Sequence, residues 1–150
     1  TAERSLYTGA IIEEGSSTAD IQPGETVRAL DMLYAMMLPS ANEAAEALIA
    51  PGVRMCELDR AARDVIEDAG YGQYFTHRLG HSIGLQDHEP GDVSLANTDT
   101  VQPGMTFSIE PGIYLPGRTG VRIEDLALVT EHGVEILNSY PHAPIPLRDS

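Results

Sequence analysis

The stretch VRIEDLALVTEHGVEIL, residues 121–137, contains two apolar runs separated by a short polar segment that ends in Gly133. Short apolar runs bounded by turn residues are typical of β-strands, so this stretch predicts two strands joined near His132 and Gly133. The stretch MTFSIEPGIYL, residues 105–115, follows the same pattern, with short apolar runs between glycine and proline. The C-terminal half of the chain therefore predicts a mostly antiparallel sheet.

The preceding residues follow a different periodicity. Residues 26–50 place apolar side chains three and four positions apart, which predicts an amphipathic helix that Pro39 should bend or break. Residues 56–70 repeat this spacing, and Gly70 predicts the end of a second helix, whose acidic residues we expect to face solvent. Helices followed by strands indicate an α+β fold.

Length and charge narrow the classes of function. A chain of 150 residues is long enough for one domain, which we assign to residues 1–150. A net charge of −14 disfavours binding to nucleic acid or to an anionic membrane surface. Because Cys56 is the single cysteine and the first residues do not resemble a secretory signal, we expect a cytoplasmic protein without an internal disulfide.

Several residues are candidates for metal ligands. Imidazoles are concentrated between residues 77 and 88, and two glutamates interrupt apolar runs where a buried carboxylate needs a partner or a cation. One imidazole with several carboxylates suits Mn, Co, Fe or Zn, whereas mutual hydrogen bonding of the same residues is the alternative interpretation. The candidates are His77, His81, His88, Glu110, Glu124 and Asp20. Gly80 and Gly84 would allow a ligand or a neighbouring strand to approach closely.

Three segments carry a family resemblance. HRLGHSIGLQDHEP at 77–90, MTFSIEPGIYLPG at 105–117 and GVRIEDLALVTEHGVEIL at 120–137 resemble the signature segments of the pita-bread metallopeptidases, which include methionine aminopeptidase, aminopeptidase P and prolidase. The chain is most similar to the prolidase, or Xaa-Pro dipeptidase, branch. The resemblance implies the C-terminal part of a pita-bread catalytic domain, with helices packed on a mostly antiparallel, curved sheet.

The resemblance also implies a role for each candidate residue. It makes Asp20, His81, Glu110 and Glu124 the ligands of one or two divalent ions, Mn, Co, Zn or Fe. Glu110 would also act as general base, and His88 would stabilise the charge that develops on the scissile carbonyl. His77 would shape the substrate pocket, and Arg122 would hold the geometry of the carboxylates. The implied reaction is hydrolysis of Xaa-Pro dipeptides or N-terminal Xaa-Pro bonds through a metal-bound hydroxide, with a short proline-containing peptide as substrate and a homodimer as the assembly.

The N-terminal hairpin departs from the family pattern. Tyr7 stands where the first metal-binding aspartate is expected, which leaves Asp20 and, if the register allows, Glu13 or Glu14. A site with one carboxylate fewer is suited to one cation better than to two. Two further readings therefore remain open. One is an enzyme of the same fold with another reaction, like creatinase or a sulfonium-propionate lyase, and the other is an inactive peptide- or protein-binding module or fragment.

Overall fold

The computed structural model describes residues 38–139 and residue 142 of the chain. Two α-helices, one short 3-10 helix and seven strands lie within these residues. The helices are α1 (Leu38–Glu46), α2 (Met55–Asp68) and the 3-10 helix Gly72–Tyr74. The strands are β1 (Gly80–Ser82), β2 (Glu89–Val93), β3 (Thr106–Ile109), β4 (Gly112–Leu115), β5 (Thr119–Arg122), β6 (Asp125–Thr130) and β7 (Gly133–Ile136).

The strands form two antiparallel sheets. The larger has five strands in the order β2-β1-β3-β6-β7, and the smaller is the β4-β5 hairpin. The predicted hairpin near His132 and Gly133 is confirmed by the pairing of β6 with β7, in which Thr130 lies opposite Gly133. The α+β class and the mostly antiparallel sheet are likewise confirmed.

The second helix follows the predicted periodicity. Leu58, Ala62 and Ile66 recur every four residues along α2 and are fully buried. Gly70, with a φ of 86°, takes the left-handed conformation just beyond the helix, which only glycine adopts at no steric cost. Of the first predicted helix, only the part from Leu38 onwards is described. Pro39 lies in its first described turn, so the bend expected there falls largely outside the described residues.

The core lies between the two helices and the larger sheet. Buried apolar side chains from α1, α2 and the strands form a single cluster, with Leu38, Leu58, Phe107 and Ile109 among its largest members. Full burial of one such side chain contributes about 1.5–3 kcal/mol, so this cluster provides most of the drive to pack helices on sheet. Among the described residues, no helix combines the length and apolar character needed to span a bilayer.

A buried polar network attaches α1 to the start of β6. The Asp125 carboxylate is 1% exposed and accepts hydrogen bonds from Asn42 Nδ2 at 2.8 Å and Asn138 Nδ2 at 2.7 Å. His142 Nε2 lies 2.9 Å from the same carboxylate, and its side chain is only 28% exposed. His142 is thus held against the domain by a buried carboxylate, which needs hydrogen-bond donors.

Glu46, on α1, belongs to the same network and makes stability depend on pH. Burial and the adjacent Asp125 carboxyl raise the pKa of Glu46 from 4.5 to about 7. Burial alone would also raise the pKa of Asp125, but hydrogen bonds from Asn138 and His142 hold it below its ordinary value of 3.8. Because the folded state binds the Glu46 proton more tightly than the unfolded state does, the stability from Glu46 is complete below pH 4.5. It is lost as the pH rises to about 7.

We expect Glu46→Gln to match the wild type below pH 4.5 and to become progressively more stable than the wild type as the pH rises to about 8, because glutamine resembles the protonated carboxyl. Urea denaturation of both proteins across this range measures the difference. Glu67→Gln, an exposed change on α2, is the surface control. A difference between Glu46→Gln and the wild type that does not vary with pH would contradict the raised pKa.

Candidate metal centre

Three side chains with metal-ligating atoms converge where the larger sheet meets the β4-β5 hairpin. His81 lies in β1, Glu110 directly follows β3, and Glu124 lies in the break between β5 and β6. One ligand atom from each residue lies within 4.8 Å of the others. His81 Nε2 is 3.3 Å from Glu110 Oε1. The arrangement brings one imidazole and two carboxylates to a single point.

The glycine beside His81 allows this convergence. A Cβ atom at Gly80 would collide with the carbonyl oxygen of Ser108, so a larger residue would push β1 away from β3. A Cβ at Gly84 would meet only the carboxylate of Glu89, the movable end of a side chain, at 2.7 Å. Of the two readings given for these glycines, the close approach of a neighbouring strand is the one observed at Gly80.

Glu110 is held by partners on both carboxylate oxygens. It is buried, and Ser108 Oγ lies 3.1 Å from Oε1 while Arg122 Nη1 lies 3.2 Å from Oε2. Ser108 Oγ also accepts a hydrogen bond from the His81 backbone N–H at 3.0 Å. Ser108 therefore links the backbone of one candidate ligand to the side chain of another, and Arg122 fixes the orientation of the Glu110 carboxylate.

Glu124 is less enclosed than the sequence indicated. We expected both glutamates in buried strands, but Glu124 lies between two strands and is exposed, while Glu110 is buried just beyond the end of β3. Desolvation of the carboxyl, followed by the nearby charge of Glu110, raises the pKa of Glu124. Two carboxylates that repel each other beside an imidazole form a donor set that a divalent cation would stabilise, so these residues fit such an ion.

His88 lies at the solvent edge of this cluster. Its ring centroid is 4.1 Å from that of His81, and its side chain is 64% exposed. His88 Nδ1 is 3.5 Å from a carboxylate oxygen of Asp87. The ring is therefore adjacent to the candidate ligands and open to an approaching molecule, while its catalytic role stays a prediction.

His77 joins the cluster through a chain of hydrogen bonds. Its Nδ1 lies 2.7 Å from the carbonyl oxygen of Arg78, so Nδ1 carries the proton, and Nε2 lies 3.1 Å from the Tyr114 hydroxyl. Burial lowers the pKa of His77, which favours a neutral ring whose Nε2 accepts from Tyr114. Arg122 in turn donates to Tyr114, so the chain runs from His77 to Glu110.

A buried ion pair on α2 supports the segment that carries His77. The Asp59 carboxylate, fully buried, accepts from Arg63 Nε at 2.8 Å and from the Leu79 backbone N–H at 2.9 Å. Arg63 also donates to the carbonyl oxygens of Phe75 at 2.9 Å and His77 at 3.0 Å. The expectation that the acidic residues of this helix face solvent is wrong for Asp59, because the buried backbone N–H of Leu79 needs an acceptor and Arg63 needs an ion-pair partner.

One candidate ligand lies outside the described part of the chain, and the sequence analysis did not identify two residues that hydrogen-bond to the cluster. Asp20, together with the alternatives Glu13 and Glu14, lies among the residues whose structure is not described. Ser108 and Tyr114 were missed. The signal for Ser108 was available, since it precedes Glu110 by two positions and residues two apart on a strand share a face.

Residues 16–131 match the sequence profile of metallopeptidase family M24, and the chain belongs to that family. It is 48% identical over 123 residues to an uncharacterized peptidase of Staphylococcus epidermidis, a match that covers 82% of this chain and 35% of the relative. Its fold is that of the pita-bread proteins, and dipeptidase PepE from Mycobacterium ulcerans is structurally similar, with a TM-score of 0.75 and 44% identity over 79% of this chain and 32% of that one.

X-Pro aminopeptidase from Thermotoga maritima is similar as well, with a TM-score of 0.75 and 36% identity over 81% of this chain and 34% of that one. The chain thus spans about a third of the length of the relatives and structures that it matches. The family consists of metallopeptidases, which implies divalent metal ions.

Proposed function

We propose that residues 1–150 form part of the catalytic domain of a metal-dependent peptidase that hydrolyses Xaa-Pro dipeptides or N-terminal Xaa-Pro bonds. The observation that carries the proposal is the convergence of His81, Glu110 and Glu124 within 4.8 Å. Membership of family M24 and the likeness to a dipeptidase and an X-Pro aminopeptidase support it. We also propose that the protein is cytoplasmic and forms a homodimer. Size-exclusion chromatography with light scattering tests the dimer.

The metal would be held by His81 Nε2 and by the carboxylates of Glu110 and Glu124, with Asp20 proposed as a further ligand. Mn, Co, Zn and Fe all suit one nitrogen and several oxygen donors. When bound, such an ion lowers the pKa of water to near neutrality and polarises an amide carbonyl.

Glu110 would move the proton during hydrolysis. Water adds to the carbonyl carbon of the scissile bond, Glu110 accepts the proton that the water releases, and the same proton passes to the departing proline nitrogen as the C–N bond breaks. The products are a carboxylic acid and a secondary amine, and the remaining proton of the acid passes to solvent as the carboxylate forms. Arg122, 3.2 Å from Glu110 Oε2, holds that carboxylate in one orientation throughout.

The other two histidines of the cluster, His88 and His77, would contact the substrate. His88 is exposed beside His81, which suits a ring that donates a hydrogen bond to the carbonyl oxygen as negative charge develops there. His77 and Tyr114 are half-buried and hydrogen-bonded to each other, which suits a rigid wall of the pocket. Selection for proline would depend on the shape of that pocket.

The test is hydrolysis of matched dipeptides by the purified protein loaded in turn with Mn, Co or Zn. We expect Ala-Pro to be cleaved and Ala-Ala to be cleaved far more slowly, with all activity lost in a chelator and restored by metal. Capture of Ala-Pro without turnover would overturn the proposal in favour of a peptide-binding module. Turnover of creatine or a sulfonium propionate instead would favour a different enzyme of the same fold.

A further inference from the structure

Asn42 is a buried amide on α1 that faces the point where β3 and β6 separate. Its side chain is fully buried. The amide nitrogen Nδ2 lies 2.8 Å from Asp125 Oδ2, 3.2 Å from the carbonyl oxygen of Ile109 and 3.5 Å from that of Ile123. One side chain on a helix is thus in hydrogen-bonding distance of two separate segments of backbone.

Both carbonyls belong to the residue that immediately precedes a candidate metal ligand. Ile109 precedes Glu110, and Ile123 precedes Glu124. The ladder between β3 and β6 ends at the pair of Ile109 with Asp125, and beyond it the chain leaves the larger sheet for the β4-β5 hairpin. Asn42 therefore contacts both backbones just beyond that pair, where the next backbone hydrogen bond is the long one from the Ile123 N–H to the Pro111 carbonyl oxygen at 3.4 Å.

The peptide group before Glu110 is held at both ends. Its carbonyl oxygen, on Ile109, is 3.2 Å from Asn42 Nδ2, and its N–H, on Glu110, donates to the carbonyl oxygen of Leu79 at 2.8 Å. The orientation of a peptide group sets the direction in which the following side chain leaves the backbone. Fixing this group therefore fixes the direction from which Glu110 enters the cluster.

We infer that Asn42 is a positioning residue for the metal centre, one amide that sets the spacing of Glu110 and Glu124 through the backbone before each of them. The inference rests on the proposed function, because it assigns Asn42 a role only if these carboxylates share a metal ion. Groups that orient metal ligands typically change metal affinity by about 10- to 100-fold when they are removed.

Asn138 provides a matched control. It donates to the other oxygen of Asp125 at 2.7 Å, and its own Oδ1 accepts from the Leu126 backbone N–H at 2.7 Å. Loss of either asparagine thus removes one hydrogen bond from the same buried carboxylate. Of the two, only Asn42 is within hydrogen-bonding distance of the carbonyls before Glu110 and Glu124.

The experiment compares Asn42→Ala with Asn138→Ala by calorimetric titration with Mn(II) and by the visible absorption spectrum of the Co(II)-loaded protein. Asn42→Leu keeps a side chain of similar size at this buried helical position and is measured in the same way. It separates the loss of the hydrogen bonds from the effect of the cavity that Asn42→Ala would leave. We expect both Asn42 variants to bind Mn(II) about 10- to 100-fold more weakly and to change the Co(II) spectrum. Asn138→Ala should stay within about 3-fold of the wild type with an unchanged spectrum.

If the Asn42 variants bind Mn(II) as tightly as Asn138→Ala and give the same Co(II) spectrum, the positioning role is overturned and the proposed function stands. If the wild-type protein itself binds no Mn(II) or Co(II), the proposed function is overturned and the role of Asn42 with it. The two failures are therefore distinguishable in the same set of titrations.

Discussion

Replacing Glu110 by glutamine is expected to lower kcat/KM for an Xaa-Pro dipeptide by at least about 10³-fold, since both a metal ligand and a proton acceptor are lost. Glutamine keeps the shape of the side chain and an oxygen that Arg122 can still approach. It carries no negative charge and cannot accept the proton released by water. The fold should persist, because the buried pocket for this side chain already contains polar partners in Ser108 and Arg122.

The measurement is steady-state kinetics at saturating Mn(II), combined with metal analysis of the purified variant. Glu131→Gln, in the exposed turn between β6 and β7, is the control and should retain wild-type activity. A Glu110→Gln protein that stays within about 10-fold of wild-type activity would show that Glu110 neither binds the metal nor moves the proton.

The largest effect on stability is expected at Asp59. Asp59→Ala should lower the free energy of unfolding by about 3–5 kcal/mol, because the charged Arg63 side chain would be left buried without its ion-pair partner. The Arg63 side chain is 15% exposed and would lose its ion pair at 2.8 Å. The backbone N–H of Leu79, also buried, would lose its acceptor. Since Arg63 holds the carbonyl of His77, the position of that ring should loosen too.

Urea denaturation of wild type and variant measures this loss. Asp64→Ala is the matched control, since Asp64 pairs with Arg60 on the same helix at 3.7 Å while both side chains are about half exposed. We expect a change within about 0.5 kcal/mol for Asp64→Ala. Equal losses for the two variants would mean that the Asp59–Arg63 pair contributes no more than a surface ion pair.

The architecture was largely readable from periodicity. The four-residue repeat from Leu58 to Ile66 and the glycine that ends the turn at 131–133 are local signals, and local signals specify helix α2 and the β6-β7 hairpin. What periodicity could not give is the break at Glu124. Residues 121–122 pair with β4 whereas residues 125–128 pair with β3, and this change of sheet is not encoded in the periodicity of residues 121–137.

Motif resemblance found the candidate ligands, but the residues that hold them in place gave weaker signals. Asp59 lies on the buried stripe of its helix, four residues after Met55 and three before Ala62, so periodicity indicates its burial but not the partners that hold it. Asn42 lies between buried alanines, which indicates burial but not which carbonyls it would reach. Apart from Arg63, which lies one helical turn from Asp59, their partners are 20 or more residues away in sequence, so these contacts follow from the tertiary fold.

The most direct test of the shared metal ion is X-ray absorption spectroscopy of the Zn- or Co-loaded protein and of its His81→Ala variant. We predict a ligand shell of nitrogen and oxygen with a distinct imidazole contribution, no sulfur, and loss of that contribution in the variant. A sulfur ligand, which could come from Cys56 or a methionine, or an imidazole contribution that survives in His81→Ala, would place the metal elsewhere and contradict the account.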